Sequence, residues 1–393
     1  MKAKALNQRT WEETEGSLIP IHDLKKSKKK KAYLVFEDGE VFKGIGFGSI
    51  GKVSGEIVFN TGMVGYTESI TDPSYKGQIL IQTYPLIGNY GVCSDFFESD
   101  GPKIEGYVVH ELCKEPNHWS STKCLGDWLE DFGIPGIEGI DTRRLTKKIR
   151  SHGTMLGILC TFYEEETPNL DEIISEASEV VDPNSKDLIS EVATKRRIKF
   201  SSKGKHEVVV IDCGIKKSII HNLNNRGLNV TLVPPNEGLE DIFDLRPQGV
   251  IISNGPGDPN IRTDIANLIP EISEKVPVLG ICMGLQLIAI AFGAKTFKLK
   301  FGHRGQNHPV IDKITNRCYM TSQNHGFAVD KDSLSGTGLQ LTMINANDET
   351  VEGVTHKTLN VSGVQFHPEA SPGPNDPNYV FDRFIEQIIK GIR

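Results

Sequence analysis

The chain has 393 residues, of which 38% are hydrophobic and 24% are charged, and its formal net charge is −7. This length exceeds what one hydrophobic core normally holds, so we expect two domains. The acidic balance argues against a general nucleic-acid surface, and no apolar run reaches the roughly 18–20 residues that cross a bilayer.

The seven cysteines are odd in number and form no CxxC pair. This pattern argues against a disulfide framework and against a zinc site, so we expect no metal. The first thirty residues lack the apolar core of a secretion signal and carry several acidic residues. We therefore expect a cytoplasmic location.

Residues 1–31 differ from the rest of the chain. They end in the block "KKSKKKK", Lys25 to Lys31. Because blocks of like charge repel one another and are usually solvated, we expect a disordered basic extension here.

Residues 32–194 predict an N-terminal α+β domain. Two β-like segments in "AYLVFEDGEVFKG" flank Asp38-Gly39, which is a strong hairpin signal. Short strands, glycine turns and helical stretches follow. Residues 195–206, "KRRIKFSSKGKH", are basic and poor in apolar residues, and they form the best linker candidate.

Residues 207–393 predict an α/β domain with a mostly parallel central sheet flanked by helices. The apolar runs "EVVVID", "NVTLVP", "GVIIS" and "VPVLGI" alternate with helical patterns or turns. Such alternation favours a parallel sheet, and ligands of such sheets bind at the carboxyl ends of strands. Two motifs fall at these ends, namely "SNGPGDP" and the segment around Cys282.

Cys282 lies where a predicted strand ends and a helix begins, in "GICMG". Gly280 and Gly284 allow the close backbone approach that a sharp strand-to-helix turn needs. Free N–H groups and the dipole at the start of a helix favour an anion, and a cysteine there is more easily ionised. The alternative is a buried structural cysteine.

A nucleophilic cysteine needs a base and a group that orients it. In "GVQFHPEASPGP", His367 follows a predicted strand, and Pro368 favours an extended backbone at His367. Side chains at i and i+2 of an extended segment share a side, so His367 and Glu369 can face one site. His-x-Glu is also common on surfaces, and this reading stays open from the pattern alone.

The developing negative charge of such a reaction needs hydrogen-bond donors. The backbone N–H of Met283, directly after the nucleophile, is one candidate. The turn Asn254 to Pro259, "NGPGDP", can present others, although most such sequences are tight turns only.

Taken together, "SNGPGDP", "GICMGLQ", "QNHGF" and "VQFHPEASPGP" resemble the motifs of class I glutamine amidotransferases. The segments "FGHRGQNHPV" and "QNHGFAVD" narrow the resemblance to small subunits of carbamoyl-phosphate synthetase. In the N-terminal half, "EIVFNTGMVGYTESITDPSYKGQIL", "TYPLIGNYG" and "GIDTRRLTKKIR" are similar to that family's own first domain. The resemblance covers about residues 32–393.

The resemblance implies a Cys-His-Glu triad of Cys282, His367 and Glu369, which would form a γ-glutamyl thioester. It implies an oxyanion hole at the N–H groups of Gly255 and Met283. The further residues that it implies as contacts of L-glutamine are Ser74, Gly257, Gln286, Asn324, Gly326 and Phe327. Ser74 belongs to the first domain, so the pocket would lie between the domains.

The resemblance also implies a partner, the large subunit of carbamoyl-phosphate synthetase, which would bind ATP and Mg²⁺ and make carbamoyl phosphate for arginine and pyrimidine synthesis. No cofactor is expected in this chain, and neither nucleic acid nor a membrane is expected as a partner. Leu285 departs from the family, which usually has histidine there, and Arg304 and Gln306 also differ from the commoner residues. Two alternatives remain, an amidotransferase subunit of another synthase and a catalytically impaired regulatory subunit.

Overall fold

A computed structural model describes residues 28–391. Most of the predicted basic extension, residues 1–27, lies outside the described residues. The first strand begins at Lys30, two residues before the predicted start of the N-terminal domain at residue 32. These two lysines pair with neighbouring strands, and strand pairing decides their conformation.

The first half of the chain folds around a closed, seven-stranded barrel of order β1-β2-β8-β6-β4-β3-β9. Its elements are β1 (Lys30–Phe36), β2 (Val41–Gly48), β3 (Gly51–Asn60), α1 (Tyr66–Thr71), β4 (Gln78–Gln82), β5 (Leu86–Ile87), β6 (Gly106–Val108), β7 (Glu111–Leu112), α2 (Leu125–Asp131), β8 (Pro135–Glu138), α3 (Thr142–His152), β9 (Met155–Tyr163), α4 (Leu170–Ser178) and α5 (Ile189–Val192). The predicted hairpin is confirmed, because β1 and β2 are antiparallel around the turn at Asp38-Gly39.

The second half contains a ten-stranded sheet of order β10-β12-β11-β13-β14-β19-β18-β17-β15-β16. Its elements are β10 (Ile198–Phe200), β11 (His206–Ile211), α6 (Lys217–Asn225), β12 (Leu228–Val233), α7 (Leu239–Asp244), β13 (Gly249–Ile252), α8 (Thr263–Ser273), β14 (Val278–Ile281), α9 (Met283–Ala291), β15 (Thr296–Asp312), β16 (Arg317–Val329), β17 (Leu339–Asn345), β18 (Val351–His356), β19 (Val361–Val364) and α10 (Tyr379–Gly391).

The central strands β12, β11, β13, β14 and β19 are parallel, as the sequence predicts. Alternate residues of β11 belong to different core clusters: Val209 and Ile211 to one, Val208 and Val210 to the other. Both faces of the sheet are therefore covered by a hydrophobic core, which explains why these strands appear in the sequence as unbroken apolar runs.

Two features of the second half were not predicted. Ile198–Phe200, inside the predicted linker, form strand β10 and pair with β12 at the edge of the sheet. Strands β15 to β18 add an antiparallel extension on the other side. Neither feature has strong local signals, because β10 has only three residues and β16 contains a run of polar residues, Thr321 to His325, that only tertiary contacts bury.

The carboxyl ends of β13, β14 and β19 are neighbours in the sheet. Asn254, Cys282 and His367 follow these three strands, so the parallel order brings the sequence motifs to one edge. None of the helices within residues 28–391 has the length and apolar character that a membrane crossing requires.

Candidate active site

Cys282 is the single residue between β14 and α9, and it is 2% exposed. Its backbone lies at φ 54° and ψ −101°, a region that residues with a side chain rarely adopt. Such strain persists only where the surrounding structure imposes it, and it is typical of functional sites.

The two flanking glycines are required by packing. A Cβ on Gly280 would overlap the backbone of Gly284, and a Cβ on Gly284 would overlap the carbonyl group of Ile252. The helix can therefore start directly against β13 and β14 only with glycine at both positions. The predicted sharp turn with glycine on both sides is thus present.

His367 and Glu369 form a buried pair. The distance between Nδ1 of His367 and Oε1 of Glu369 is 2.6 Å, and both side chains are less than 4% exposed. The other imidazole nitrogen, Nε2, has no hydrogen-bond partner among residues 28–391. The imidazole is thus held at one nitrogen and left free at the other, as a proton-transferring group requires.

The charges around this pair shift both pKa values. Burial alone would lower the pKa of His367, but the charge of Glu369 and the neighbouring Cys282 thiol outweigh burial and raise that pKa to about 10. Burial alone would raise the pKa of Glu369, but Lys216 and His367 outweigh burial and lower it to about 2. The pair is therefore an ion pair at neutral pH.

Nine of the eleven predicted site residues line one pocket with an empty volume of about 380 Å³. These nine residues are Ser74, Gly255, Gly257, Cys282, Met283, Gln286, Asn324, Gly326 and Phe327. Met283 is the first residue of α9, so its N–H has no partner within the helix. The pocket therefore holds the cysteine and both predicted oxyanion donors.

His367 lines a second pocket, of about 290 Å³, together with Asp72, Lys216 and Asn324. Glu369, the partner of His367, lines neither pocket. Asn324 lines both pockets.

The two halves of the chain contact each other directly at the pocket. Asn254 donates a hydrogen bond of 2.9 Å from Nδ2 to Oγ of Ser74. Asn324 donates one of 2.7 Å from Nδ2 to Oδ2 of Asp72. Ser74 and Asp72 lie in the first half of the chain, so that half contributes walls of both pockets.

Sequence reasoning missed several residues of the site. Glu56, Gln78, Asn184, Lys298, Arg304 and His325 also line the first pocket. Lys216 lies behind the triad, where its Nζ is 3.0 Å from Oε1 of Glu369. Gln365 contacts the sulfur of Cys282. One signal for Gln365 was present, because it stands two residues before His367 in an extended segment.

A buried cluster of His303, His325 and Glu352 has potential metal-ligand atoms within 4.8 Å of one another. Both ring nitrogens of His325 already face oxygens, of Phe327 at 2.7 Å and of Gln323 at 2.9 Å. Glu352 accepts hydrogen bonds from Gln323 and Asn345. The cluster therefore fits a hydrogen-bonded support of the pocket wall at His325 and Phe327.

Leu285, the departure from the expected histidine, is completely buried in a core cluster. It packs against Gly363 of β19, where a Cβ would lie 3.1 Å from the Leu285 Cβ. The side chain does not line the pocket. A non-polar residue suits this environment, as expected for a packing residue beneath the turn.

Two family models match the chain. Residues 34–159 match the carbamoyl-phosphate synthase small chain, CPSase domain. Residues 209–387 match glutamine amidotransferase class-I. Together these matches cover most of the barrel and all of the ten-stranded sheet except β10 and the start of β11.

Curated relatives match nearly the whole chain. The carbamoyl phosphate synthase small chain of Methanosarcina mazei is 50% identical over 370 residues, which cover 92% of this chain and 99% of the relative. The protein of the same name from Listeria monocytogenes serotype 4b is 50% identical over 358 residues, which cover 91% and 97%. That of Methanopyrus kandleri is 47% identical over 355 residues, which cover 90% and 98%.

Proposed function

The chain belongs to the family of carbamoyl phosphate synthase small chains, and from this membership we propose that Cys282, His367 and Glu369 hydrolyse glutamine for a separate large subunit. The observation that carries the proposal is the pocket in which Cys282, Gly255 and Met283 meet, with the His367–Glu369 ion pair beside it.

In the first step, the Cys282 thiolate attacks the side-chain carbonyl carbon of glutamine. The carbonyl oxygen gains negative charge, which the N–H groups of Gly255 and Met283 stabilise. His367, held protonated by Glu369, gives its proton to the departing nitrogen, and ammonia leaves. The remaining group is a γ-glutamyl thioester on Cys282.

In the second step, neutral His367 takes a proton from water, and the resulting hydroxide attacks the thioester carbon. The carbon–sulfur bond breaks, glutamate leaves, and the thiolate and the protonated imidazole are restored. Glu369 stabilises the imidazolium in both steps, which is the usual function of a carboxylate at this position.

The pocket wall suits a zwitterionic amino acid. Glu56 and Lys298 line it as an ion pair whose charged atoms are 2.8 Å apart, and Arg304 adds a guanidinium group. Ser74, Gln286, Asn324, Gly326 and Phe327 offer polar side chains or backbone groups, and the contact of Ser74 with Asn254 closes the pocket between the two halves. These features favour L-glutamine as the substrate.

The released ammonia would serve a large subunit that binds ATP and Mg²⁺ and makes carbamoyl phosphate for arginine and pyrimidine synthesis in the cytoplasm. The second pocket lies on the His367 side and shares Asn324 with the first. Its lining by His367, the residue that gives its proton to the departing nitrogen, fits release of ammonia on this side of the site.

The test is replacement of Cys282 by alanine in the complex with the large subunit. We expect glutamine-dependent synthesis of carbamoyl phosphate to be lost and ammonia-dependent synthesis to persist, because the thiolate is needed only to break the amide. Cys160→Ala is the matched control, since Cys160 is buried in β9 of the barrel. Glutamine use by the Cys282→Ala variant would overturn the proposal, as would a wild-type complex that cannot use glutamine.

A further inference from the structure

Gln365 follows β19 directly, and its side chain is completely buried. Its Nε2 lies 3.6 Å from Sγ of Cys282, a normal hydrogen-bond distance to sulfur. The backbone N–H of Gln365 donates to the Glu352 carbonyl at 2.9 Å and fixes the residue beside β18. The side chain therefore reaches the sulfur from the protein interior.

The orientation of the Gln365 amide follows from its neighbours. The Phe327 carbonyl can only accept, so the Gln286 atom 2.8 Å away is the amide nitrogen, Nε2. The same nitrogen lies 3.2 Å from the Gln365 amide, so the Gln365 atom facing it is the acceptor, Oε1. The remaining Gln365 atom, which faces the sulfur, is therefore the donor Nε2.

The other contact of the sulfur favours the thiol rather than the thiolate. Sγ lies 3.6 Å from the Asn324 carbonyl oxygen, which can accept from S–H but repels a negative sulfur. The Gln365 N–H group has the opposite preference, because hydrogen bonds to a charged acceptor are the stronger ones. The Gln365 amide can thus offset the Asn324 carbonyl when the thiolate forms.

We propose that Gln365 is a further catalytic residue, which donates a hydrogen bond to the Cys282 sulfur, stabilises the thiolate and is oriented for this by Gln286. The inference rests on the proposed glutaminase function. It also gives Gln286 a second task besides lining the pocket, because its amide fixes the donor end of Gln365 towards the sulfur.

Other charged groups near the sulfur act in both the wild type and the variants. His367, paired with Glu369, follows on the same segment as Gln365. Lys298 and Arg304 of β15, His325 of β16 and Glu56 of β3 line the pocket around Cys282. A change that both Gln365 variants share, including the uncharged Gln365→Met, therefore reports on loss of the amide.

The test compares Gln365→Glu and Gln365→Met with the wild type. The glutamate variant keeps the shape and an oxygen for Gln286 but replaces the N–H beside the sulfur with a carboxylate oxygen, whereas the uncharged methionine variant loses both polar contacts. Alkylation of Cys282 by iodoacetamide is followed between pH 5 and 10 by mass spectrometry of the peptide that contains it. Gln82→Met is the control, because Gln82 is a buried glutamine that donates to the Gly62 carbonyl outside both pockets.

We expect both Gln365 variants to shift the pH midpoint of alkylation upwards, with the larger shift for Gln365→Glu. Glutamine hydrolysis in the complex should fall by about 10- to 100-fold in kcat, the range for losing one hydrogen bond to a charged atom. Ammonia-dependent synthesis should persist. Gln82→Met should change the melting temperature without moving the alkylation midpoint.

An unchanged alkylation profile in the Gln365→Met variant would overturn the inference, even if activity were lost, because the residue would then be only structural; a shift in Gln365→Glu alone would report the added charge and would also overturn it. Wild-type turnover in either Gln365 variant would also overturn it. Failure of the proposed function is a separate result. It would appear as a wild-type complex without glutaminase activity, and the pH midpoint of Cys282 alkylation would still test the contact with Gln365.

Discussion

Lys216 and Glu369 form a completely buried ion pair, with Nζ of Lys216 3.0 Å from Oε1 of Glu369. This carboxylate oxygen is also the one that contacts His367. Burial alone would lower the pKa of Lys216, but Glu369, Glu98 and Asp72 outweigh burial and raise that pKa above its usual value. The triad carboxylate is thus shared between the imidazolium and a permanent cation.

The ion pair predicts how stability depends on pH. The pKa of His367 is raised to about 10, so its stabilising effect is complete below about 6.5 and is lost as the pH rises through 10. The pKa of Glu369 is lowered to about 2, so its effect is present above about 4.5 and is lost as the pH falls through 2. The stability difference between the wild type and Glu369→Gln should therefore be largest at pH 4.5–6.5.

Denaturant unfolding of both proteins at several pH values measures this difference. Glu386→Gln is a suitable control, because Glu386 makes only an exposed pair with Lys390 at 3.8 Å. The control should differ little from the wild type at every pH. A Glu369→Gln difference that stays constant from pH 5 to 9.5 would contradict the assignment of His367 as an imidazolium.

Replacement of His367 by asparagine should lower glutamine hydrolysis by about 10²–10⁴-fold, the usual contribution of general acid–base catalysis. Glu369→Gln should cost less, because the imidazole can still transfer protons when it is less well oriented. Steady-state glutaminase assays of the complex measure both effects. His221→Asn, at an exposed position of α6, should have no effect. Equal and negligible effects of the two site variants would remove both residues from the mechanism.

Leu285→His should reduce stability more than activity. An imidazole at this position would be buried in an apolar core against Gly363 without a partner, which costs about 1–3 kcal/mol. Glutamine turnover should change modestly, since the side chain does not line the pocket. Leu285→Met, which nearly conserves volume, should cost less than about 1.5 kcal/mol. A gain in turnover of a hundredfold would instead support the impaired-subunit alternative.

Nitrogen from glutamine should reach carbamoyl phosphate without mixing with the solvent. Free ammonia at neutral pH is mostly ammonium, which is not a nucleophile, so a direct route to the partner is advantageous. Adding the large subunit with ATP and bicarbonate should raise glutamine hydrolysis severalfold, because the partner's conformational change would complete the site.

The measurement uses ¹⁵N-amide glutamine with unlabelled ammonium in excess. We expect the label to predominate in carbamoyl phosphate. Dilution of the label in proportion to the bulk ammonium pool would show that no enclosed route exists.

Local sequence signals predicted the sharp turn and its chemistry. Gly280 and Gly284 on either side of Cys282 indicated a close strand-to-helix turn, and both glycines are required by packing there. The hairpin at Asp38-Gly39 and the parallel strands β11 to β14 were predicted in the same way. These features depend on backbone freedom and hydrophobic patterning over a few residues, which the sequence displays directly.

The resemblance of the long motifs to a family predicted more residues of the site than the local sequence pattern around each residue did. Nine predicted residues line one pocket, including Ser74 from the first half of the chain. This grouping came from the resemblance to a family, because nothing local connects Ser74 with Cys282.

Tertiary structure alone decided the buried polar contacts behind the site. Lys216 is 153 residues from Glu369, and Gln365 is 83 residues from Cys282. Tertiary structure also decided the conformation of Ile198–Phe200, which lie in the predicted linker and pair with β12 as an edge strand. A buried lysine or glutamine is stable only where the folded chain supplies a partner of matching charge or hydrogen-bonding capacity. That partner lies far away in sequence, so the residue's own neighbours along the chain carry no sign of it.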